Sequence, residues 1–160
     1  MIIKAGEEFT LKLSRMAEHT EEVAKKAIYA GAKVVADKIK SNLKALPTES
    51  FRYLGDGEKF SGVPEQQKQD LIDGFGISPI QRDEAGWNAK LGFDGYGSFP
   101  TRKYPNGLPN QLLARAIESG SSVRQKKPFV RPAVNVTKKK AEAEMVRAGE
   151  EELKKIYDGG

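Results

Sequence analysis

The chain has 160 residues, 38% of them hydrophobic and 31% charged, with no cysteine and one histidine. That length supports one domain with a true core, and the missing cysteines exclude a disulfide framework, a thiolate metal site and a cysteine nucleophile. No run approaches the roughly 18 apolar residues needed to span a bilayer, so no membrane association is expected. The net charge of +5 and pI near 9.3 raise nucleic-acid binding as a question, but acids and bases alternate along most of the chain.

Taken in order, residues 1–19 lack the apolar h-region of a signal peptide, which suits a cytoplasmic product. Phe9, Leu11 and Leu13 alternate and Met16 follows. A short strand or a leading helical turn fits, and the reading leans to helix. His19 has no partner nearby in sequence and reads as a surface residue without chemistry. Thr20 to Leu46 is the clearest helix. Thr20 can cap it, with Glu21 and Glu22 at the end where the dipole favours acids. Val23, Ala27, Ile28, Gly31, Val34, Val35, Ile39, Leu43 and Leu46 recur at spacings of three and four, and Pro47 ends the run. The small residues Ala27, Ala30, Gly31 and Ala32 permit close approach by another element.

Residues 48–69 carry glycine, proline and charge without a sustained period. They read as a long loop, with a short strand near Phe51, and serve either as an assembly arm or as a plain flexible loop. Asp70 to Asp94 reads as a β-hairpin. Phe75, Ile77 and Pro79 lie on the first strand, residues 81–86 supply the turn, and Trp87, Ala89, Leu91 and Phe93 form one face of the return strand. Pro79 suits an edge position. Gly95 to Asn110 is rich in glycine and proline, and its residues 95–108 form a second loop or arm. A short helix follows from Pro109 and stops at Gly120. The last helix begins with Pro132 in its first turn and carries an apolar stripe through Ala141, Met145, Ala148, Leu153 and Ile156. The order of these elements predicts an α+β domain: two long helices packed on a small antiparallel β-sheet, with long Gly/Pro-rich loops.

No catalytic constellation accompanies them. A Ser–His–Asp arrangement would need His19, and there is no phosphate loop of the GxxxxGK(S/T) kind. Gly92 to Gly97 follows a hairpin strand and opens no helix, so a dinucleotide reading fails. The acids Asp70, Asp73, Asp83, Glu84 and Asp94 have no fixed mutual geometry and read as turn and edge residues. No enzymatic activity and no cofactor are expected. The one acid-free basic run holds Arg124, Lys126, Lys127, Arg131, Lys138, Lys139 and Lys140. It is either a solvated face or a contact that neutralises phosphates, and no nucleic-acid-binding motif accompanies it.

Glu118-Ser-Gly120-Ser121-Ser followed by Pro128-Phe129-Val-Arg131-Pro132-Ala133 resembles the E-x-G-(T/S)-S … P-F-(hydrophobic)-R-P-A hallmark of the small neck, or head–tail joining, proteins of long-tailed phages, the gene-product-ten type. The resemblance extends to a long alanine- and valine-bearing helix (25–46), a strand over Gln69–Ile77, the Gly92-Phe93-Asp94-Gly95-Tyr96 strand end and the Pro109–Ser122 helix. The chain departs from the pattern at Ile72 and Asp73, where the family carries basic residues. The resemblance implies a virion protein made in the bacterial cytoplasm and acting, without cofactors, as a subunit of a homo-oligomeric ring. Its partners would be the phage head connector and tail proteins, with any DNA contact incidental. It carries over Glu118, Gly120, Ser121, Pro128, Phe129, Arg131 and Pro132 as motif positions. A Glu118–Arg131 charge pair ordering the loop between them is one expectation, and Phe129 as a core anchor is another.

Overall fold

In a computed structural model, the backbone is described for residues 2–4, 9–12 and 21–158, and side chains for residues 21–155. The apolar stripe of the first helix forms α1, Glu21–Ala45, and buries Val23, Ala27, Ile28, Val35, Ile39 and Leu43. The final stripe forms α4, Arg131–Asp158. The two helices run antiparallel. A Cβ built on Gly149 would lie 3.7 Å from that of Ala27, and Asn42 at the other end donates to the Phe129 carbonyl at 3.1 Å. Gly31 lies where the two approach closely. A Cβ there would fall 2.4 Å from Met145 Cγ and 3.3 Å from the Ala141 carbonyl, so a larger residue displaces Met145.

Against these helices lies a small antiparallel sheet: β1 (Ile2–Lys4), β2 (Phe9–Lys12), β3 (Phe75–Ile77), β4 (Gln81–Asp83) and β5 (Gly86–Phe93). The order is β1-β2-β5-β3, with β4 also paired to β5. The fold class is therefore the α+β arrangement expected from sequence. Trp87, Ala89, Leu91 and Phe93 point from β5 into the core, where α1, α3 (Asn110–Ser119) and the start of α4 meet it. Phe93 has Phe75 at 5.0 Å and Phe129 at 6.0 Å, centroid to centroid. The register on β5 shifts by one residue between β3 and β4. Pro79 sits in this bulge, where its missing N–H removes nothing from the ladder. Beside it Ser78 N–H donates to the Lys90 carbonyl and Lys90 N–H to Ser78 Oγ, both at 2.8 Å.

Several expectations need correction. Residues 2–4 and 9–12 are strands, not helix, because β2 completes its hydrogen bonding along β5; His19, Thr20 and the stretch 13–20 lie outside the described residues. The loop read over 48–69 ends at Pro64, and the hairpin begins only at Phe75, because Glu65–Gly74 forms a helix, α2. Its inward face is Gln67, Lys68 and Leu71, so two of its three buried residues are polar and no apolar stripe announces it. For the same reason only the last part of the Gln69–Ile77 stretch is strand. Phe51 lies in no strand, and Gln81–Asp83 pairs with β5, leaving Glu84 and Ala85 as the turn.

Lys68 explains how α2 is held. Its ammonium donates to the Leu46 and Lys44 carbonyls at the end of α1 and to Thr48 Oγ1 at 2.9 Å, satisfying carbonyls that a helix C-terminus leaves open.

Candidate assembly surface

The signature over residues 118–133 folds as one clamp. Glu118 is on the last turn of α3 and only 6% exposed. Its Oε2 accepts the N–H groups of Phe129 (2.8 Å) and Val130 (2.9 Å), and its Oε1 accepts that of Arg131 (3.0 Å). These peptide groups open α4, where donors have no intrahelical acceptor and the dipole favours a negative charge. Glu118 thus caps a helix that begins well downstream in sequence. The expected Glu118–Arg131 ion pair is corrected accordingly: Arg131 supplies its backbone N–H, and its side chain is exposed.

The remaining signature residues serve the same closure. Gly120 ends α3 with φ +82°, its N–H returned to the Ala116 carbonyl at 2.8 Å. Any Cβ there would meet the Lys126 backbone nitrogen at 3.2 Å as well as an unfavourable φ. Ser121 folds the next turn, its Oγ accepting from Arg124 N–H at 3.1 Å and its N–H donating to the Arg124 carbonyl at 3.0 Å. Phe129 is fully buried, as a core anchor should be. Pro128 and Pro132 are exposed and flank it, the second inside the first turn of α4 where proline costs no hydrogen bond.

The basic run divides. Arg124 is corrected from a surface contact to an interior strut. It is 8% exposed, donates to Gln67 Oε1 (2.5 Å) and the Gly62 carbonyl (3.2 Å), and lies over the Phe60 ring at 5.8 Å. Burial pushes its guanidinium below the ordinary value, with Glu49 acting in the opposite sense. Lys126, Lys138, Lys139 and Lys140 are exposed, and Lys127 is half-buried with its N–H on the Ile117 carbonyl at 2.8 Å.

The two loops read as arms are braced against each other. Phe51 packs edge-on to Phe60 (5.9 Å) and Phe99 (4.9 Å), joining 48–64 to 95–109. The Glu49 carboxylate accepts Ser61 N–H, Ser61 Oγ and Gly62 N–H at 2.8–3.0 Å. The Ser61 and Gly62 peptide bonds, with help from the Ser61 hydroxyl and Arg52, hold its pKa below the usual carboxylate value. Across the loops Asp70 accepts Ser98 N–H (2.8 Å) and Oγ (2.7 Å). Burial opposes its ionisation, yet the Ser98 and Gln66 donors outweigh it, and the Asp70 pKa is lowered. This braced end presents Tyr53, fully exposed, and Tyr96, 68% exposed. Sequence periodicity could not find the brace, because its contacts are single long-range pairs.

Among the described residues no cluster of three histidine, aspartate or glutamate side chains is placed to hold a metal ion, and no helix is long and apolar enough to cross a membrane. No protein-family model matches the chain, and no curated protein or solved structure matches it significantly.

Proposed function

We propose that the protein is a structural component of phage or prophage morphogenesis acting at the head–tail junction. In this reading it is one subunit of a ring in the virion that joins the capsid connector to the tail or completes the tail, and it needs no cofactor. The observation that carries the reading is the closure of residues 118–133. The two halves of the E-x-G-S-S … P-F-V-R-P-A signature meet through one carboxylate, so the signature describes a single mechanical unit. A subunit that transmits position around a ring needs rigid joints between its elements, and the Glu118 clamp makes such a joint between α3 and α4. The braced loops with Tyr53 and Tyr96 supply shaped, exposed contacts for a neighbour. Exposed aromatics are favoured at interfaces because they bury much area with little lost freedom. The alternative, nucleic-acid binding through Arg124–Lys140 as one segment, has less support because Arg124 is committed to the interior.

The test is genetic and visual. Disrupting the gene in its phage or prophage and imaging the induced lysate is expected to show DNA-filled heads beside separate tails. Intact virions of normal infectivity would refute the joining role.

A further inference from the structure

Antiparallel packing of α1 on α4 sorts charge along the two-helix face. The half built from the start of α1 and the end of α4 is laced with ion pairs: Lys25 to Glu21 (2.6 Å), Arg147 to Glu144 (3.0 Å) and Glu151 (2.8 Å), and Lys155 to Glu151 (3.7 Å). The other half is different. From Lys33 to Lys44, α1 carries four lysines and one acid, Asp37, and from Arg131 to Ala141, α4 carries four cations and no acid. A shallow, open groove between the helices has Lys33 and Lys38 on one wall and Lys140 on the other, with Tyr29 near one end. Lys139 continues the exposed basic surface on the solvent side of α4, whereas Lys138, about 200° around the helix from Lys140, lies on the far flank and takes no part. Its two acids are Asp37 and Glu144, and Glu144 is already neutralised by Arg147. Among the described residues, none of Lys33, Lys38, Lys138, Lys139 and Lys140 has a carboxylate within ion-pair distance.

We infer that this half of the α1–α4 face is a docking surface for the phosphate backbone of duplex DNA, read without sequence preference. Lys33, Lys38, Lys139 and Lys140 outnumber the one acid of the groove without an ion pair, Asp37, and a polyanion relieves their mutual repulsion. Lysines are flexible point charges suited to phosphates that need not be met in one geometry. Lys33 and Lys38, five residues apart on a helix, are separated by roughly 7.5 Å along its axis, about the axial rise of two base pairs. The groove offers no apolar wedge for a lipid surface; Tyr29 and Val34 are its largest hydrophobic residues. Lys139 and Lys140 end the linear basic run, but Lys33 and Lys38 come from α1, about a hundred residues away, and the buried Arg124 takes no part. Its biological setting, DNA passing through a ring, rests on the head–tail reading; the binding itself does not.

The test uses the purified full chain and a fluorescent duplex of arbitrary sequence, with anisotropy read across salt concentrations. With about four phosphates neutralised, affinity is expected to fall roughly 100-fold between 50 and 200 mM salt. The variant K33Q/K38Q/K139Q/K140Q should bind at least about tenfold more weakly and with a flatter salt dependence. Its arginine counterpart at the same four positions should bind like wild type, and K126Q/K127Q should be unaffected. Circular dichroism of each variant confirms the fold. The inference is overturned if wild type does not bind duplex at low salt, if the four-lysine variant binds unchanged, if Lys126 and Lys127 carry the affinity, or if phosphatidylserine vesicles bind where duplex does not. None of these outcomes bears on the gene-disruption phenotype, so the two proposals fail separately.

Discussion

Replacing Glu118 with alanine removes the acceptor for three peptide N–H groups at once, which makes it the sharpest probe of the clamp. Phe129 and Val130 are buried, so their donors find no water in compensation, whereas the Arg131 peptide sits at a cleft that solvent can enter. At about 1–3 kcal/mol for each orphaned buried donor, with a smaller loss of charge–dipole attraction, E118A should cost about 3–5 kcal/mol. That is a large share of the 5–15 kcal/mol typical of a domain, and corresponds to a fall in Tm of about 10 °C. E118Q keeps the shape and one acceptor oxygen but turns an amide donor toward a peptide donor, so it should lose about half as much. Urea unfolding followed by far-UV circular dichroism and by Trp87 fluorescence measures both. Native-state hydrogen exchange adds a local readout, since the Phe129 and Val130 amides should exchange much faster in E118A. An E118A variant within about 0.5 kcal/mol of wild type, with those amides still protected, would refute the clamp.

Other positions give independent checks. Gly31→Val must displace Met145 and is expected to cost about 1–3 kcal/mol in thermal or urea unfolding, and an unchanged stability would contradict the close approach of α1 and α4. Arg124→Met strands Gln67 and the Gly62 carbonyl and should cost about 1–3 kcal/mol while leaving DNA affinity as in wild type, the opposite of a contact residue. Asp70 has a folded pKa below its unfolded value, so its contribution is present above about pH 4 and is lost as pH falls through the lower folded value. The stability gap between wild type and D70N should therefore shrink between pH 6 and pH 3, and a gap independent of pH would show that the charge is not what matters. Tyr53→Ser, at a fully exposed site, should leave stability within about 0.5 kcal/mol yet reduce complementation of the disrupted gene.

Periodicity alone determined the two long helices, since a stripe sustained over many turns leaves no competing reading, and α1 ends at Ala45, one residue before the expected Leu46. The alternation of Trp87, Ala89, Leu91 and Phe93 likewise marked the buried face of β5, and Gly120 marked the end of α3. From these the α+β class followed. What escaped were the elements whose stability is not carried by apolar periodicity. Helix α2 buries Gln67 and Lys68, which look solvated in sequence and are satisfied only by Arg124 and by the end of α1, both remote along the chain. Strand β2 needs β5 to pair with, so its short alternating stretch, read without that partner, leaned to helix. The signature at 118–133 was visible as letters, but its chemistry was not: charge arithmetic paired Glu118 with the Arg131 side chain, and tertiary structure gave that carboxylate to peptide N–H groups. The basic run was likewise one segment in sequence and two environments in space, Arg124 inside and the lysines outside. Local pattern reports which face of an element is apolar; where a buried polar group finds its partner depends on which distant segments the fold brings together, and only the tertiary structure decides that.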